Sequence, residues 1–192
     1  GTPSKANEAF FFFFLPWASA KDLVKSRIYA AKLNVTAEAI EAGSRLGPEN
    51  TVLFVVRGMS LANEFRIALS KVSVAFNQDL KALRCNDGVN PEFVYYSLFA
   101  QRDSIKALAG EASHGTKKLP TEVISEIRVK LPPLATQQEI VGVAKCFDDL
   151  IENNRRRIAL LEQSARLLYR EWFVRLRFPG HEHVKVVDGV PE

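Results

Sequence analysis

One long stretch of regularly spaced apolar residues constrains this chain more than any other feature. Residues 137–173 contain no proline and a single glycine, Gly142. Apolar residues recur there at alternating steps of four and three over about five heptads, which is typical of a coiled coil. These positions, called the seam below, are Ile140, Ala144, Phe147, Ile151, Asn154, Ile158, Leu161, Ala165, Leu168 and Trp172. A helix roughly 55 Å long, at about 1.5 Å per residue, needs a partner to cover such a seam.

The seam has one polar member, Asn154. A buried asparagine lowers stability but fixes the register and the number of partners, because its amide must pair with another polar group. Val143 and Leu150 widen the apolar face beyond a two-stranded seam. Their position predicts that part of the helix also rests against the globular region.

Length and composition predict one globular domain ahead of this helix. Of the 192 residues, 47% are hydrophobic and 25% are charged, which is enough apolar material for a domain of about 130 residues. No apolar run is long enough to cross a membrane, and the apolar run 9–15 lacks the basic leader of a signal peptide. Cys85 and Cys146 show no metal-ligand spacing and suit reduced thiols in a cytoplasm.

Positive charge is concentrated ahead of the long helix. Residues 1–130 carry 17 Lys or Arg against 13 Asp or Glu, a net charge of +4, whereas residues 131–192 carry nine of each and are neutral. An excess of this size is compatible with a polyanionic partner. Many proteins that bind no nucleic acid have the same balance, so charge alone leaves both interpretations open.

The first 130 residues have the pattern of a compact, mixed, β-rich domain rather than a doubly wound sheet. Asn90 followed by Pro91 predicts a capped helix start, and Pro132-Pro133 predicts an extended break before the long helix. The predicted strands cover residues 51–56, 67–69, 72–76 and 80–83. The predicted helices cover residues 36–42 and 91–109, and a polar loop is expected at residues 110–119.

Hydroxyl and cationic side chains in three segments are candidates for contact with nucleic acid. Hydroxyls and lysines reach phosphates, and lysine or histidine also reaches base edges. The candidates in the polar loop are Ser113, His114, Thr116, Lys117 and Lys118, and those in the first turn are Thr2, Ser4 and Lys5. Ser19, Lys21 and Arg57 complete the set. A solvated, flexible loop is the alternative interpretation of both polar segments.

Motifs for catalysis are missing from this sequence. It contains no phosphate-binding loop, dinucleotide fingerprint, zinc-protease helix, nucleophile elbow or Cys-x-x-Cys. His181 and His183 are separated by one residue in a polar tail, where such pairs more often bind nothing than a metal. We therefore expect no catalysis by this chain alone, no bound metal and no cofactor of its own.

Segments spread over most of the chain resemble the DNA-specificity subunit of type I restriction–modification systems. The first are Gly1-Thr2-Pro3-Ser4, Leu15-Pro16-Trp17 with Asp22-Leu23, and Asn77-Gln78-Asp79 with Lys81-Ala82-Leu83. The most specific are Leu131-Pro132-Pro133-Leu134 with Gln137-Gln138-Glu139-Ile140, Asn154-Arg155-Arg156-Arg157-Ile158, Leu160-Leu161-Glu162-Gln163, and Tyr169-Arg170-Glu171-Trp172-Phe173. The five phenylalanines at 10–14 depart from the family, which usually has glycine or a polar residue there.

The resemblance implies an α+β fold with three parts. These are a compact β-rich target-recognition domain at residues 1–130, a long coiled-coil helix at 131–178, and a tail at 179–192 that leads toward a second half. The chain starts with glycine, and the resemblance implies an N-terminal fragment, half of a subunit. Its helix would pair antiparallel with a second copy or a second half.

The resemblance also implies function and partners. The chain would recognise one half of a bipartite target in double-stranded DNA and dock methylation and restriction subunits in the cytoplasm. S-adenosylmethionine would bind the methylation subunit, which flips and methylates an adenine. The alternative is a coiled-coil scaffold whose globular domain binds protein rather than DNA.

Overall fold

The computed structural model describes residues 15–41, 43–112, 115–187 and 190–191. The chain divides into two compact units, Gly1–Ala144 and Lys145–Glu192. The strands are β1 (Leu15–Ala18), β2 (Arg27–Ile28), β3 (Leu33–Val35), β4 (Arg45–Gly47), β5 (Val52–Val55), β6 (Arg57–Gly58), β7 (Ile67–Ser70), β8 (Val74–Phe76), β9 (Leu80–Leu83), β10 (Gly110–Glu111), β11 (Lys117–Lys118), β12 (Val186–Val187) and β13 (Val190–Pro191). The helices are α1 (Ala37–Glu41), α2 (Ser60–Asn63), α3 (Pro91–Ala100), α4 (Arg102–Ala107), α5 (Thr121–Ser125) and α6 (Leu134–Tyr169).

Two mixed sheets build the core of the first unit. Their strand orders are β3-β1-β8-β4 and β2-β7-β5-β9. Every residue of β5 and of β7 is buried, because α3 packs against both strands. Burial on both faces explains why these strands are continuous apolar runs without alternation. A β-rich domain followed by one long helix is the α+β architecture that the sequence predicts.

Local signals in the sequence place several elements correctly. The strands predicted at 51–56, 67–69 and 80–83 are β5, β7 and β9, and the helix predicted at 36–42 is α1. Oδ1 of Asn90 accepts hydrogen bonds from the backbone N–H groups of Glu92 (2.9 Å) and Phe93 (3.3 Å), which confirms it as the cap of α3. The cap satisfies two N–H groups that the helix itself leaves unpaired.

The single helix predicted at residues 91–109 is wrong. The chain breaks at Gln101, with φ −92° and ψ 5°, into α3 and α4. The Gln101 side chain donates to the carbonyl of Ser97 (3.1 Å), and its backbone N–H donates to Leu98 O (3.1 Å). After the break α4 is a separate helix, and its residue Ile105 is buried in the core.

The polar loop predicted at 110–119 is also wrong, because β10 and β11 lie within it. β11 pairs with β10 on one side and β6 on the other. The backbone N–H of Leu119 donates to Val56 O (2.8 Å), and the Leu119 side chain is buried. Leu119 therefore anchors this segment beside β6.

The long helix lies within the predicted range of 131–178, since α6 begins at Leu134 and ends at Tyr169. α6 has 36 residues and is followed by a π-helical turn, Arg170–Val174. Its buried residues are Gln137 and Val141, whereas Val143 and Leu150 are exposed. The contact expected between part of the helix and the globular region is made by Gln137 and not by Val143. None of the helices in the described ranges is both long and apolar enough to span a bilayer.

Candidate nucleic-acid interface and helix seam

Three predicted cations come together where β11 pairs with β6. The register sets Lys118 opposite Arg57, and Lys117 opposite Gly58. Side chains directly opposite each other in antiparallel strands have Cβ atoms about 5 Å apart. Gly58 has φ +130°, a conformation that suits glycine and few other residues. Arg57 and Lys118 therefore lie side by side on one face of the sheet, and Lys117, the neighbour of Lys118 in β11, alternates to the other face. These three cations, from two distant parts of the sequence, are called the Arg57 cluster below.

Other cations of the domain have acidic partners, which the side chains of the Arg57 cluster lack among the described residues. Lys71 Nζ pairs with Glu92 (2.7 Å), and Arg66 Nε pairs with Glu64 (3.2 Å). Among the described residues, by contrast, no acidic group or other hydrogen-bond acceptor engages the three side chains of the cluster. Like charges placed opposite one another repel, so the facing pair of Arg57 and Lys118 favours an anion that binds both.

Three other predicted contacts have different surroundings. Ser19 is half-buried, and its Oγ donates to the carboxylate of Asp22 (2.8 Å), which also accepts from the Ser19 N–H (2.9 Å). This bonding shapes a turn, at which Lys21 is exposed. Thr116, next to the Arg57 cluster in sequence, is half-buried. Whether any of these residues contacts DNA stays a prediction. The other five candidates, Thr2, Ser4, Lys5, Ser113 and His114, lie outside the described residues.

A cleft beside the edge strand β2 gathers further cations. It has a volume of about 430 Å³ and is called the basic cleft below. Its walls are formed by Lys21, Asp22, Val24, Lys25, Arg27, Tyr29, Ala30, Ala31 and Lys32. Sequence reasoning selected only Lys21 from this group. The local signal was present, since residues 19–32 contain four cations and one acid.

The seam is exposed along α6. Its large apolar residues other than Trp172 are between 44% (Ile140) and 68% (Leu161) accessible, and Asn154 and Ala165 are exposed as well. Ala144 and Trp172 are partly buried. A contiguous apolar face of this length is unusual on a solvent-facing helix and marks an interaction surface.

Gln137 fixes the first turn of α6 to the first unit. Its side chain is 2% exposed. Nε2 donates to Pro132 O (2.8 Å), and Oε1 accepts from the backbone N–H of Asn90 (2.9 Å). The backbone N–H of Gln137 donates to Pro133 O (3.1 Å). The start of the long helix is therefore tied to the cap of α3.

The two cysteines are free thiols. Cys85 is half-buried and Cys146 is exposed, and burial raises the pKa of the Cys85 thiol. Within the described residues, no group of three or more His, Cys, Asp or Glu side chains is placed to hold a metal ion.

Comparison with known families assigns the chain. The model of the type I restriction modification DNA specificity domain matches residues 3–163. This match covers the Arg57 cluster, the basic cleft and the larger part of the seam. The chain belongs to that family.

Named relatives of this specificity domain come from archaea and bacteria. The type I restriction enzyme MjaIX specificity subunit of Methanocaldococcus jannaschii is 30% identical over 180 residues, covering 90% of this chain and 40% of the relative. The EcoR124I/EcoR124II specificity subunit of Escherichia coli is 27% identical over 152 residues, covering 78% and 38%. The chain thus spans about two fifths of the length of these relatives.

Solved structures show the same fold as this specificity domain. The S subunit of a type I restriction–modification system from M. genitalium superposes with a TM-score of 0.58 at 17% identity, covering 90% of this chain and 46% of that one. The HsdS subunit from Thermoanaerobacter tengcongensis gives a TM-score of 0.53 at 17% identity, covering 82% and 35%.

Proposed function

We propose that this chain is one half of a DNA-specificity subunit, which recognises one part of a bipartite target and performs no catalysis. The family match over residues 3–163 carries the proposal, because it includes both the domain and the helix. The partners are double-stranded DNA, a methylation subunit and a restriction subunit, in the cytoplasm. The methylation subunit would bind S-adenosylmethionine and transfer the methyl group.

The Arg57 cluster supports binding to phosphates. Arg57 and Lys118 are exposed, and Lys117 is half-buried. Phosphate contacts fix the position of a protein on the duplex, whereas contacts to base edges discriminate sequences. We assign the cluster to the first role, since two mutually repelling cations that face each other, Arg57 and Lys118, match neighbouring phosphates better than one base.

The seam supports antiparallel pairing with a second copy or a second half. If two identical helices cross at the level of residue 156, each of the two alanines of the seam faces a large residue. The facing pairs are Ile140 with Trp172, Ala144 with Leu168, Phe147 with Ala165, Ile151 with Leu161, and Asn154 with Ile158. The amide of Asn154 then needs a polar partner beside the seam. A parallel pair would set Phe147 on Phe147 and Ala165 on Ala165, which leaves layers overfilled or empty.

Exchanging two facing residues tests this register. Phe147→Ala and Ala165→Phe should each weaken self-association of the full chain, because one leaves a void and the other overfills a layer. The double variant restores each facing pair with its members exchanged and should recover part of the lost affinity in sedimentation experiments. Additive losses in the double variant would refute the antiparallel register.

Antiparallel pairing would join two recognition domains into one assembly that recognises both parts of a DNA target. Each domain would bind a short half-site, and the bases between the half-sites would remain unread. Two identical domains related by a two-fold axis recognise a palindromic split site, as dimeric DNA-binding proteins do. Two different domains recognise an asymmetric one.

The methylation pattern on host DNA tests the function. Single-molecule sequencing of DNA from cells with and without the gene would show a split motif that disappears on deletion. A palindromic motif would indicate a homodimer of halves, and an asymmetric motif would indicate a longer subunit. If deletion removes no motif, the DNA-specificity function is refuted and the scaffold interpretation is favoured.

The Arg57 cluster has a direct binding test. The logarithm of DNA affinity falls with the logarithm of salt by about 0.9 per neutralised phosphate. The double variant Lys117→Gln with Lys118→Gln should therefore lower this slope by about 2 and weaken binding to all duplexes. Lys130→Gln, an exposed charge elsewhere in the domain, is the control. An unchanged slope in the double variant would exclude the cluster as a contact.

A further inference from the structure

We infer that the basic cleft is a second DNA-contacting surface, in which Tyr29 and Val24 contact bases while Lys21 and Lys32 contact phosphates. The inference rests on the proposed function and adds base-contacting residues to it. The cleft and the Arg57 cluster are built from different segments of the domain.

The walls of the cleft are held in place by buried neighbours. Leu23 is 3% exposed and Ile28 is 2% exposed, whereas the next residue in each case, Val24 or Tyr29, is 70% or 66% exposed. Each outward side chain therefore stands beside an inward one that is locked in the core. A tyrosine ring presented in this way has an apolar face, a hydroxyl group and only two side-chain torsions to order on binding.

Asp22 fixes the shape of the cleft and is the one acid among its wall residues. Its carboxylate accepts hydrogen bonds from the N–H and Oγ of Ser19 and from the N–H of Lys32 (3.2 Å). These bonds connect the two chain segments on either side of β2. All of these donors are neutral groups of the protein itself.

The cleft holds most of the excess charge of the domain. Residues 19–32 carry a net charge of +3, since four cations stand against one acid, whereas residues 1–130 carry +4. Arg27 already has a partner within the protein, since its Nη2 donates to the hydroxyl of Tyr96 (3.0 Å). No described acid pairs with Lys21 or Lys32. The charge of these two lysines is available to a ligand.

The combination of side chains favours DNA over a small anion. A small anion would need cations alone and would gain nothing from exposed Tyr29 and Val24. Duplex DNA offers both kinds of partner, with phosphates for the lysines and base edges, including the thymine methyl group, for the apolar side chains. The alanines Ala30 and Ala31 leave room for such an approach.

The cleft is linked to the strand that leads to the Arg57 cluster. Arg66 Nη1 donates to Ala20 O (3.1 Å), at the start of the cleft loop. The carbonyl of the same Arg66 accepts from the N–H of Val55 (3.0 Å), two residues before Arg57. Both surfaces are therefore attached to one half-buried residue, Arg66.

Selection from a pool of duplexes with a randomised segment tests the inference with the full chain. Tyr29→Ala should lower affinity for the selected duplex by about fivefold to hundredfold and broaden the preference at one or more positions, with the salt slope unchanged. Tyr29→Phe separates the ring from its hydroxyl. The double variant Lys21→Gln with Lys32→Gln should weaken all duplexes alike and lower the slope by about 2. Lys130→Gln again serves as the control.

The outcomes separate this inference from the proposed function. If the unaltered chain selects a motif and Tyr29→Ala selects the same motif with the same affinity, the base contact is refuted and the proposed function stands. If the lysine variant changes partner binding but not DNA binding, the cleft is a protein-docking surface and the inference fails. If the unaltered chain binds no duplex, the proposed function fails first.

Discussion

Replacing Gln137 with alanine removes the two side-chain hydrogen bonds that tie the first turn of α6 to the domain. The change leaves the backbone N–H of Asn90 and the carbonyl of Pro132 without their partner. A buried polar group that loses its partner costs about 1–3 kcal/mol. Alanine favours the helix by a few tenths of a kcal/mol over glutamine, and water entering the vacated space offsets part of the loss. We expect a net destabilisation of about 2–4 kcal/mol.

Urea unfolding of the full chain measures this cost, and the neighbouring glutamine supplies the control. Gln138 is the same residue type on the same helical turn but is exposed, so Gln138→Ala should change the free energy of unfolding by less than about 0.5 kcal/mol. Gln137→Glu keeps an acceptor for Asn90 but sets a carboxylate against Pro132 O, and should be at least as damaging as alanine. Equal stability of Gln137→Ala and Gln138→Ala would refute the assignment of Gln137 as an anchor.

Two further predictions concern the helix and the thiols. Leu161→Glu should weaken self-association by more than about a hundredfold, because a seam carboxylate must be buried without a partner. Ala159→Glu, off the seam, is the control and should leave the sedimentation behaviour unchanged. A dimer that survives Leu161→Glu excludes the seam as the interface. Iodoacetamide should label Cys146 faster than Cys85 at pH 7–8, because a raised pKa lowers the thiolate fraction of Cys85. The Cys85 rate should climb as the pH approaches that pKa, and equal rates by mass spectrometry would contradict this.

Features with a local sequence signal could be predicted from the sequence. The seam follows from a periodicity that repeats within one helix, and β5 follows from an uninterrupted apolar run. The cap of α3 depends on residues two and three positions apart, Asn90 with Glu92 and Phe93. In each case the atoms that stabilise the element belong to the same short stretch, so the pattern contains the physical cause.

Features that depend on distant partners could not be predicted. β11 has two residues and pairs with β6 from another part of the chain, so its two lysines predict a polar loop with candidate phosphate contacts but not this pairing. The role of Gln137 arises from Asn90, 47 residues earlier. The break at Gln101 has neither glycine nor proline beside it in the sequence. No sequence pattern marks Tyr29 as a contact residue. Its exposure beside Lys21 and Lys32 is seen only in the folded cleft.

The Arg57 cluster and the seam depend on opposite kinds of interaction, and their responses to salt should differ. The first 130 residues hold the net charge of +4, while residues 131–192 are neutral and expose a long apolar seam. Ion release dominates phosphate binding, so rising salt weakens contact of the Arg57 cluster with DNA. Burial of apolar surface does not require charge, and salts such as sulfate strengthen it. We therefore expect a range of ionic strength in which the chain remains self-associated through the seam but is released from DNA, because affinity for DNA and affinity for the second helix reside in different residues and respond to different forces.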